Sequence, residues 1–95
     1  MVEAILKQAL NTYGLGMQTV MLCEECAELT KASTKLLRNG DSKELVIALT
    51  EEMADVLIMI EQMKIAYQIK DIDVEVVMNG KIIRLKETLM KEQKK

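Results

Sequence analysis

The sequence predicts an all-α domain, and three observations indicate this fold class. The chain has no proline and only four glycines, so few residues interrupt helices. It has eight methionines but only two aromatic residues, both tyrosines, whereas β-strands are usually rich in aromatic side chains. Apolar residues also recur at spacings of three and four, which is the helical period. We therefore expect helices and no β-sandwich.

The first predicted helix ends near Tyr13, because Gly14 and Gly16 interrupt its periodic pattern. A second periodic segment extends from about residue 17 to residue 38, and Asn39-Gly40 then supplies the left-handed residue that often ends a helix. The apolar residues of the first helix are Val2, Ile5, Leu6, Ala9, Leu10 and Tyr13.

The third predicted helix covers roughly residues 45–69. Asp41, followed three residues later by Glu44, resembles a capping box at its start. A fourth helix then begins at Asp71 or Asp73, either of which is a suitable capping residue.

The fourth segment also permits a different interpretation. In VEVVMNGKIIRL, Asn79-Gly80 lies between two runs of β-branched residues, which is typical of a β-hairpin. However, an isolated two-stranded hairpin is marginally stable. We therefore predict a helix, and its apolar residues with helical spacing are Met78, Ile82, Leu85 and Leu89.

The size of the chain predicts one domain that spans residues 1–95 and assembles with copies of itself. Small domains bury a modest fraction of their surface and often need a partner subunit. This chain is 49% apolar, with a mean hydropathy of +0.06. We expect an antiparallel four-helix bundle completed by homo-oligomerisation, as a homodimer or homotetramer.

Charge and hydropathy exclude several partner classes. A net charge of -2 and a pI near 5.2 provide no basic surface for a nucleic-acid backbone. The longest apolar run, Val56 to Ile60, is too short to span a bilayer, and the N-terminal residues do not have the layout of a signal peptide. We expect a soluble cytoplasmic protein that binds neither nucleic acid nor membrane.

Two acidic pairs repeat the same local pattern. Glu25 and Glu28 lie three residues apart in the second helix, and Glu52 and Asp55 do so in the third. At about 100° of rotation per residue, Glu25 and Glu52 fall within the apolar stripes of their helices. Glu28 and Asp55 fall at the edges of those stripes.

If the two stripes face each other, four carboxylates converge. Such a cluster requires protons or a cation, because like charges in close contact repel. The chain has no histidine, and an all-oxygen ligand set favours Mg²⁺ or Mn²⁺ over zinc or copper. The alternative is that these acids are ordinary solvated surface groups.

Cys23 and Cys26 form a C-x-x-C motif within the second helix. The motif suggests a thiol redox pair or half of a zinc site, yet the chain has no further cysteine to complete a zinc shell. Redox pairs usually lie at a helix N-terminus, where the helix dipole lowers the thiol pKa. We expect both thiols to be small buried or half-buried side chains.

These motifs together resemble the MazG-like branch of the all-α nucleoside triphosphate pyrophosphatases. The resemblance extends from about Tyr13 to Leu89. Its matching residues are Tyr13-Gly14, Gln18, Glu25-x-x-Glu28-Leu29, Glu52-x-x-Asp55-Val56 and Lys81-x-x-Arg84-Leu85.

The resemblance implies hydrolysis of a nucleoside triphosphate to the monophosphate and pyrophosphate by a dimer or a dimer of dimers. It implies that Lys81 and Arg84 contact phosphates, and that Gln18 orders a carboxylate or the nucleotide. The four acids, Glu25, Glu28, Glu52 and Asp55, would hold Mg²⁺, with Mn²⁺ as a substitute, and form the catalytic site. Two alternatives remain open: a non-catalytic helical oligomerisation or regulatory module, and a thiol-based sensor.

Overall fold

A computed structural model describes residues 2–94, which form four α-helices and no strand. None of these helices combines the length and the apolarity needed to cross a bilayer. The predicted all-α class is confirmed. The helices are α1 (Val2–Tyr13), α2 (Leu15–Asn39), α3 (Lys43–Tyr67) and α4 (Asp71–Gln93).

A single glycine separates α1 from α2. Gly14 has φ 84° and ψ 156°, a backbone conformation that residues with a Cβ rarely adopt. Its N–H donates to the carbonyl of Leu10 at 2.8 Å, and its carbonyl accepts from Gln18 N–H at 3.1 Å. Gly16, in contrast, lies within α2 and does not interrupt it, so α2 begins two residues earlier than the pattern predicted.

The turn between α2 and α3 contains a cap that differs from the predicted one. Gly40 has the expected positive φ, 80°, and ends α2. The capping residue of α3 is Ser42, whose Oγ accepts from Leu45 N–H at 3.3 Å. The predicted capping box at Asp41 is therefore wrong, because Ser42 lies one residue closer to the first turn. Glu44 lies within that first turn.

The end of α3 is closed by backbone hydrogen bonds. Gln68 adopts the left-handed conformation, and Ile69 N–H donates to the carbonyl of Lys64 at 2.8 Å, an arrangement common at helix C-termini. The N-cap of α4 is then Lys70, so neither Asp71 nor Asp73 is the capping residue. Both acids lie in the first turn of α4, where the helix dipole favours negative charge.

Helix α4 continues without a break through Asn79-Gly80, which confirms the helix and rules out the hairpin. The helical spacing of its apolar residues outweighed the local turn preference of Asn-Gly. A single glycine in a helix costs only about 1 kcal/mol relative to alanine.

Helices α2 and α3 form the main packed unit of the chain, and α1 packs against both. A three-residue turn joins α2 to α3, so the two helices are antiparallel neighbours. Their shared seam has buried or half-buried residues at helical spacing on both sides. On α2 these are Gln18, Leu22, Glu25, Leu29, Ala32 and Leu36; on α3 they are Leu45, Ala48, Leu49, Glu52, Val56, Met59, Gln62 and Met63.

Helix α4 does not pack extensively against any of the other three helices. The radius of gyration is 17.1 Å, whereas a compact domain of this length has a radius of about 12 Å. The predicted antiparallel four-helix bundle is therefore not closed within one chain. Helices α1, α2 and α3 form the packed part, and α4 extends from it.

Candidate metal centre

Three carboxylates meet at the seam between α2 and α3. Glu25 comes from α2, and Glu52 and Asp55 come from α3. One oxygen of each lies within 4.8 Å of the other two. We call these residues the three-acid group, and no other set of three or more histidine, cysteine or acidic side chains converges in this way within residues 2–94.

The helical period of α2 and α3 explains why these carboxylates converge. Glu25 lies between Leu22 and Leu29 on the buried face of α2, and Glu52 lies between Leu49 and Val56 on the buried face of α3. Packing these apolar neighbours against each other therefore draws both glutamates into the seam. Asp55 is exposed at the edge of the seam. The predicted arrangement of one acid in the stripe and one at its edge is what the structure shows.

Glu52 has an unsatisfied oxygen. Its Oε2 atom is buried and has no hydrogen-bond partner among the described residues. A buried polar atom without a partner is costly, and a buried charge more so. A proton, a bound cation or a water molecule can satisfy this oxygen.

The pKa of Glu25 is raised above its ordinary value. Partial burial is the largest cause, followed by the negative charges of Asp55 and Glu52, a side-chain hydrogen bond with Asp55, and the charge of Glu28. A hydrogen bond between two carboxyl groups requires a proton on one of them. Without a cation, the raised pKa therefore favours the protonated form of Glu25, which can donate this hydrogen bond.

The pKa of Glu52 is also raised. Partial burial again contributes most, and the negative charges of Asp55, Glu28 and Glu51 add to it. Every neighbouring charge that shifts the pKa of Glu25 or Glu52 is negative. The negative charges around Glu25 and Glu52 would therefore stabilise a cation bound between them.

Glu28 is placed beside the three-acid group rather than within it. It is exposed, and its oxygens are not among the three that converge within 4.8 Å. Its charge nevertheless raises the pKa values of both Glu25 and Glu52. The structure thus brings three of the four predicted acids together and leaves the fourth at the rim.

Two glutamines are buried in the same seam. Gln18 of α2 is 6% exposed and Gln62 of α3 is 3% exposed, and Gln62 Oε1 is buried without a hydrogen-bond partner in the described part of the chain. Gln18 was predicted from the sequence, but Gln62 was missed. The signal for Gln62 was its position seven residues after Asp55, on the same face of a largely apolar helix.

Lys81 and Arg84 are not brought to the acids within one chain. Both are exposed residues of α4, the helix that lacks extensive contact with α2 and α3. Their predicted role at phosphates therefore remains a prediction.

The expected burial of the cysteines is wrong. Cys23 and Cys26 are both exposed free thiols. The buried face of α2 is centred on Leu22, Glu25 and Leu29, and Cys26 is rotated by about 100° from Glu25. Neither thiol belongs to the group of converging ligands.

Comparisons of the chain with protein-family models, with curated proteins and with solved structures find no match in any of the three. The resemblance found in the sequence thus remains a prediction, and the function has to be argued from the geometry of the seam.

The three-acid group fits a hard divalent cation. It offers carboxylate oxygens alone, which are the ligands that Mg²⁺ and Mn²⁺ prefer. The buried Glu52 Oε2, which has no hydrogen-bond partner among the described residues, is an oxygen that such a cation can bind. Because Asp55 is exposed, the group is open to solvent on one side, where water or a phosphate can complete the coordination of a cation.

Proposed function

We propose that this protein is a Mg²⁺-dependent nucleoside triphosphate pyrophosphohydrolase, which converts an NTP or dNTP to the monophosphate and pyrophosphate. The observation that supports this function best is the three-acid group with its buried, unpaired Glu52 oxygen. The substrate class is what the resemblance to the MazG-like nucleoside triphosphate pyrophosphatases implies.

Glu25, Glu52 and Asp55 are the residues that hold the cation, with Mn²⁺ as a possible substitute for Mg²⁺. A bound Mg²⁺ supplies positive charge for phosphate oxygens and lowers the pKa of a coordinated water. The acids alone repel a triphosphate, since both are negatively charged. Binding of substrate at this seam therefore requires the metal.

The remaining polar residues have roles around this centre. Hydrolysis breaks the bond from the α-phosphorus to the bridging oxygen, while a water adds to phosphorus and gives up a proton. Glu28 lies at the rim and outside the converging oxygens, so we assign it as the acceptor of that proton. Gln18 and Gln62 provide hydrogen-bonding groups farther along the seam, and Lys81 and Arg84 are the proposed phosphate contacts of α4.

The proposed enzyme acts as a homo-oligomer in the cytoplasm, with a dimer or a tetramer as the working unit. Because α4 does not pack extensively against the rest of its chain, its surface is available for contact with another subunit. The exposed free thiols are compatible with a reducing compartment.

Assay of pyrophosphate release tests the function directly. We expect release from a panel of NTPs and dNTPs in Mg²⁺, and none in excess EDTA. Glu52→Gln should abolish release, whereas the matched variant Glu24→Gln should retain it, because Glu24 is the exposed neighbour of Glu25 and lies outside the three-acid group. Equal rates for both variants would remove Glu52 from the site.

A non-catalytic oligomerisation or regulatory module is the second candidate. The many exposed apolar residues of α3 and α4 favour it, because such surface is typical of an interaction site. This candidate predicts a stable oligomer that releases pyrophosphate from no nucleotide in the panel.

A further inference from the structure

Two buried glutamines lie at the same level of the seam between α2 and α3. Gln18 comes seven residues before Glu25, and Gln62 comes seven residues after Asp55. A side-chain hydrogen bond joins Glu25 to Asp55. Because the two helices are antiparallel, seven residues back along α2 and seven residues forward along α3 lead from this contact to the same level. Seven residues span about 10 Å and return to nearly the same face of a helix, so both glutamines lie about two turns from the three-acid group.

Gln62 has an acceptor without a donor. The residue is 3% exposed, and its Oε1 atom is buried with no hydrogen-bond partner among the described residues. A buried amide oxygen that accepts no hydrogen bond is unfavourable. Either a water molecule or the N–H group of a bound ligand can donate the missing hydrogen bond. A ligand at this position would therefore be one that presents an N–H group.

Apolar side chains lie between the glutamines and the acids. Leu22 is half-buried and lies between Gln18 and Glu25 on α2. Met59 is 6% exposed and lies between Asp55 and Gln62 on α3. A methionine side chain has several rotatable bonds and adapts its shape to a neighbour. The seam thus presents carboxylates, then apolar side chains, then amides, and apolar walls with a few polar groups are typical of a small-ligand site.

A cleft adjoins the glutamine end of the seam. Its volume is about 750 Å³, within the range of small-ligand sites. Its lining includes Leu6 of α1, and Glu61 and Ile65 of α3, which come one residue before and three residues after Gln62. Helix α1 therefore forms one wall of the cleft. Gly14 alone joins α1 to α2, so this wall is attached to the seam through a single residue.

We propose that Gln62, together with Gln18, hydrogen-bonds the base of the nucleotide substrate, and that α1 moves aside to admit it. The inference rests on the proposed function for the position of the phosphates. A sugar and a base span about the distance of two helical turns, so a nucleotide with its α-phosphate at the cation places its base at the amides. The flat faces of the base pack against Met59 and Leu22. Its edge carries an N–H group that donates to Gln62 Oε1.

Magnetic resonance of the glutamine side-chain amides tests base binding without catalysis. The isotope-labelled wild-type chain in EDTA is titrated with adenosine, guanosine, cytidine and uridine, which carry no phosphate. We expect at least one nucleoside to shift the signals of Gln18 and Gln62 saturably; Gln18→Met and Gln62→Met identify these signals. The signal of Gln8, an exposed residue of α1, is the control and should not move. If no nucleoside moves either signal, Gln62 is satisfied by water alone and the proposal is overturned.

Steady-state kinetics distinguish base recognition from a structural role. Gln62→Met keeps the length of the side chain and removes the acceptor. We expect kcat/KM for the best nucleoside triphosphate to fall at least about tenfold, mainly through KM, and the preference among bases to weaken. Gln8→Met should change neither quantity.

The two experiments separate this inference from the proposed function. Pyrophosphate release by Gln62→Met with an unchanged KM and an unchanged preference among bases would overturn the inference alone. Shifted amide signals in a wild-type chain that releases pyrophosphate from no nucleotide would overturn the proposed function and leave the base site in place.

Discussion

The seam between α2 and α3 differs from the surface of α4 in which side chains are buried and which are exposed. In the seam, apolar packing within the chain buries polar atoms such as Glu52 Oε2 and Gln62 Oε1. On α4, apolar residues are exposed and no residue is fully buried. The contrast separates two tasks: the seam has the features of a ligand site, and α4 those of an assembly surface.

The comparison also shows why hydropathy alone does not distinguish the two regions. α3 is apolar on nearly every face, yet many of its apolar residues remain exposed. In the seam between α2 and α3, partial burial raises the pKa of Glu25 and Glu52.

The largest expected effect concerns catalysis at the seam. Asp55→Asn and Glu28→Gln should each reduce pyrophosphate release by at least about 100-fold, the usual loss on removal of a group that transfers a proton or of a comparable catalytic contact. The oligomer should survive, since neither residue belongs to the exposed apolar surface of α3 or α4. Rates and sedimentation of the same samples provide the measurement, with Glu24→Gln as the exposed control. A loss of assembly in Asp55→Asn would mean that the seam and the interface are not separate.

The second expected effect is a pH dependence of metal binding. The raised pKa values of Glu25 and Glu52 mean that protons compete with Mg²⁺ at pH values above the ordinary glutamate pKa of 4.5. Affinity for Mg²⁺ should therefore increase as the pH rises through the raised pKa values and level off above them. Calorimetric titration from pH 5 to pH 8 measures this, and a constant affinity over the whole range would contradict it.

The third effect is on stability without metal. A carboxyl group whose pKa is raised on folding stabilises the native state below its unfolded pKa, and this contribution is lost as the pH rises through the folded pKa. At neutral pH in EDTA, Glu52→Gln should thus raise the melting temperature, because glutamine needs no proton. Glu24→Gln, at an exposed site, should change it little. Thermal unfolding followed by circular dichroism measures both, and a lower melting temperature for Glu52→Gln would show that its ionised form is favourable.

The smallest effect concerns the ends of the helices. Ser42→Ala removes the side-chain acceptor for Leu45 N–H and should lower the free energy of unfolding by about 1 kcal/mol. Lys70→Ala at the N-cap of α4, where the side chain makes no capping hydrogen bond, should have a smaller effect. Chemical denaturation of both variants gives the comparison. Equal losses would indicate that the Ser42 hydroxyl contributes nothing beyond its backbone position.

Much of the seam was predictable from residue order. The positions of Glu25 and Glu52 within apolar stripes follow from the period of 3.6 residues per turn. Gly40 correctly predicted where α2 ends. The burial of Gln62 and the capping role of Ser42 were not predicted. The burial of Gln62 depends on how the helices pack, and the sequence alone does not distinguish Ser42 from Asp41 as the capping residue.

The exposure of Cys26 shows the same limit from another side. A helical wheel places Cys26 next to the apolar stripe that contains Glu25. How far the buried face of α2 extends around the helix is decided only by its packing against α3. The structure shows that this arc follows Leu22, Glu25 and Leu29, which leaves Cys26 in solvent.

The sequence by itself determined the all-α class, the number of helices and the face on which each acid lies, because these follow from local backbone preferences and helical period. Only the tertiary structure decided that Glu25, Glu52 and Asp55 meet, that Glu28 stays at the rim, and that α4 does not pack extensively against the rest of its own chain. Those outcomes depend on how helices approach each other, and packing between distant residues is what sets that approach.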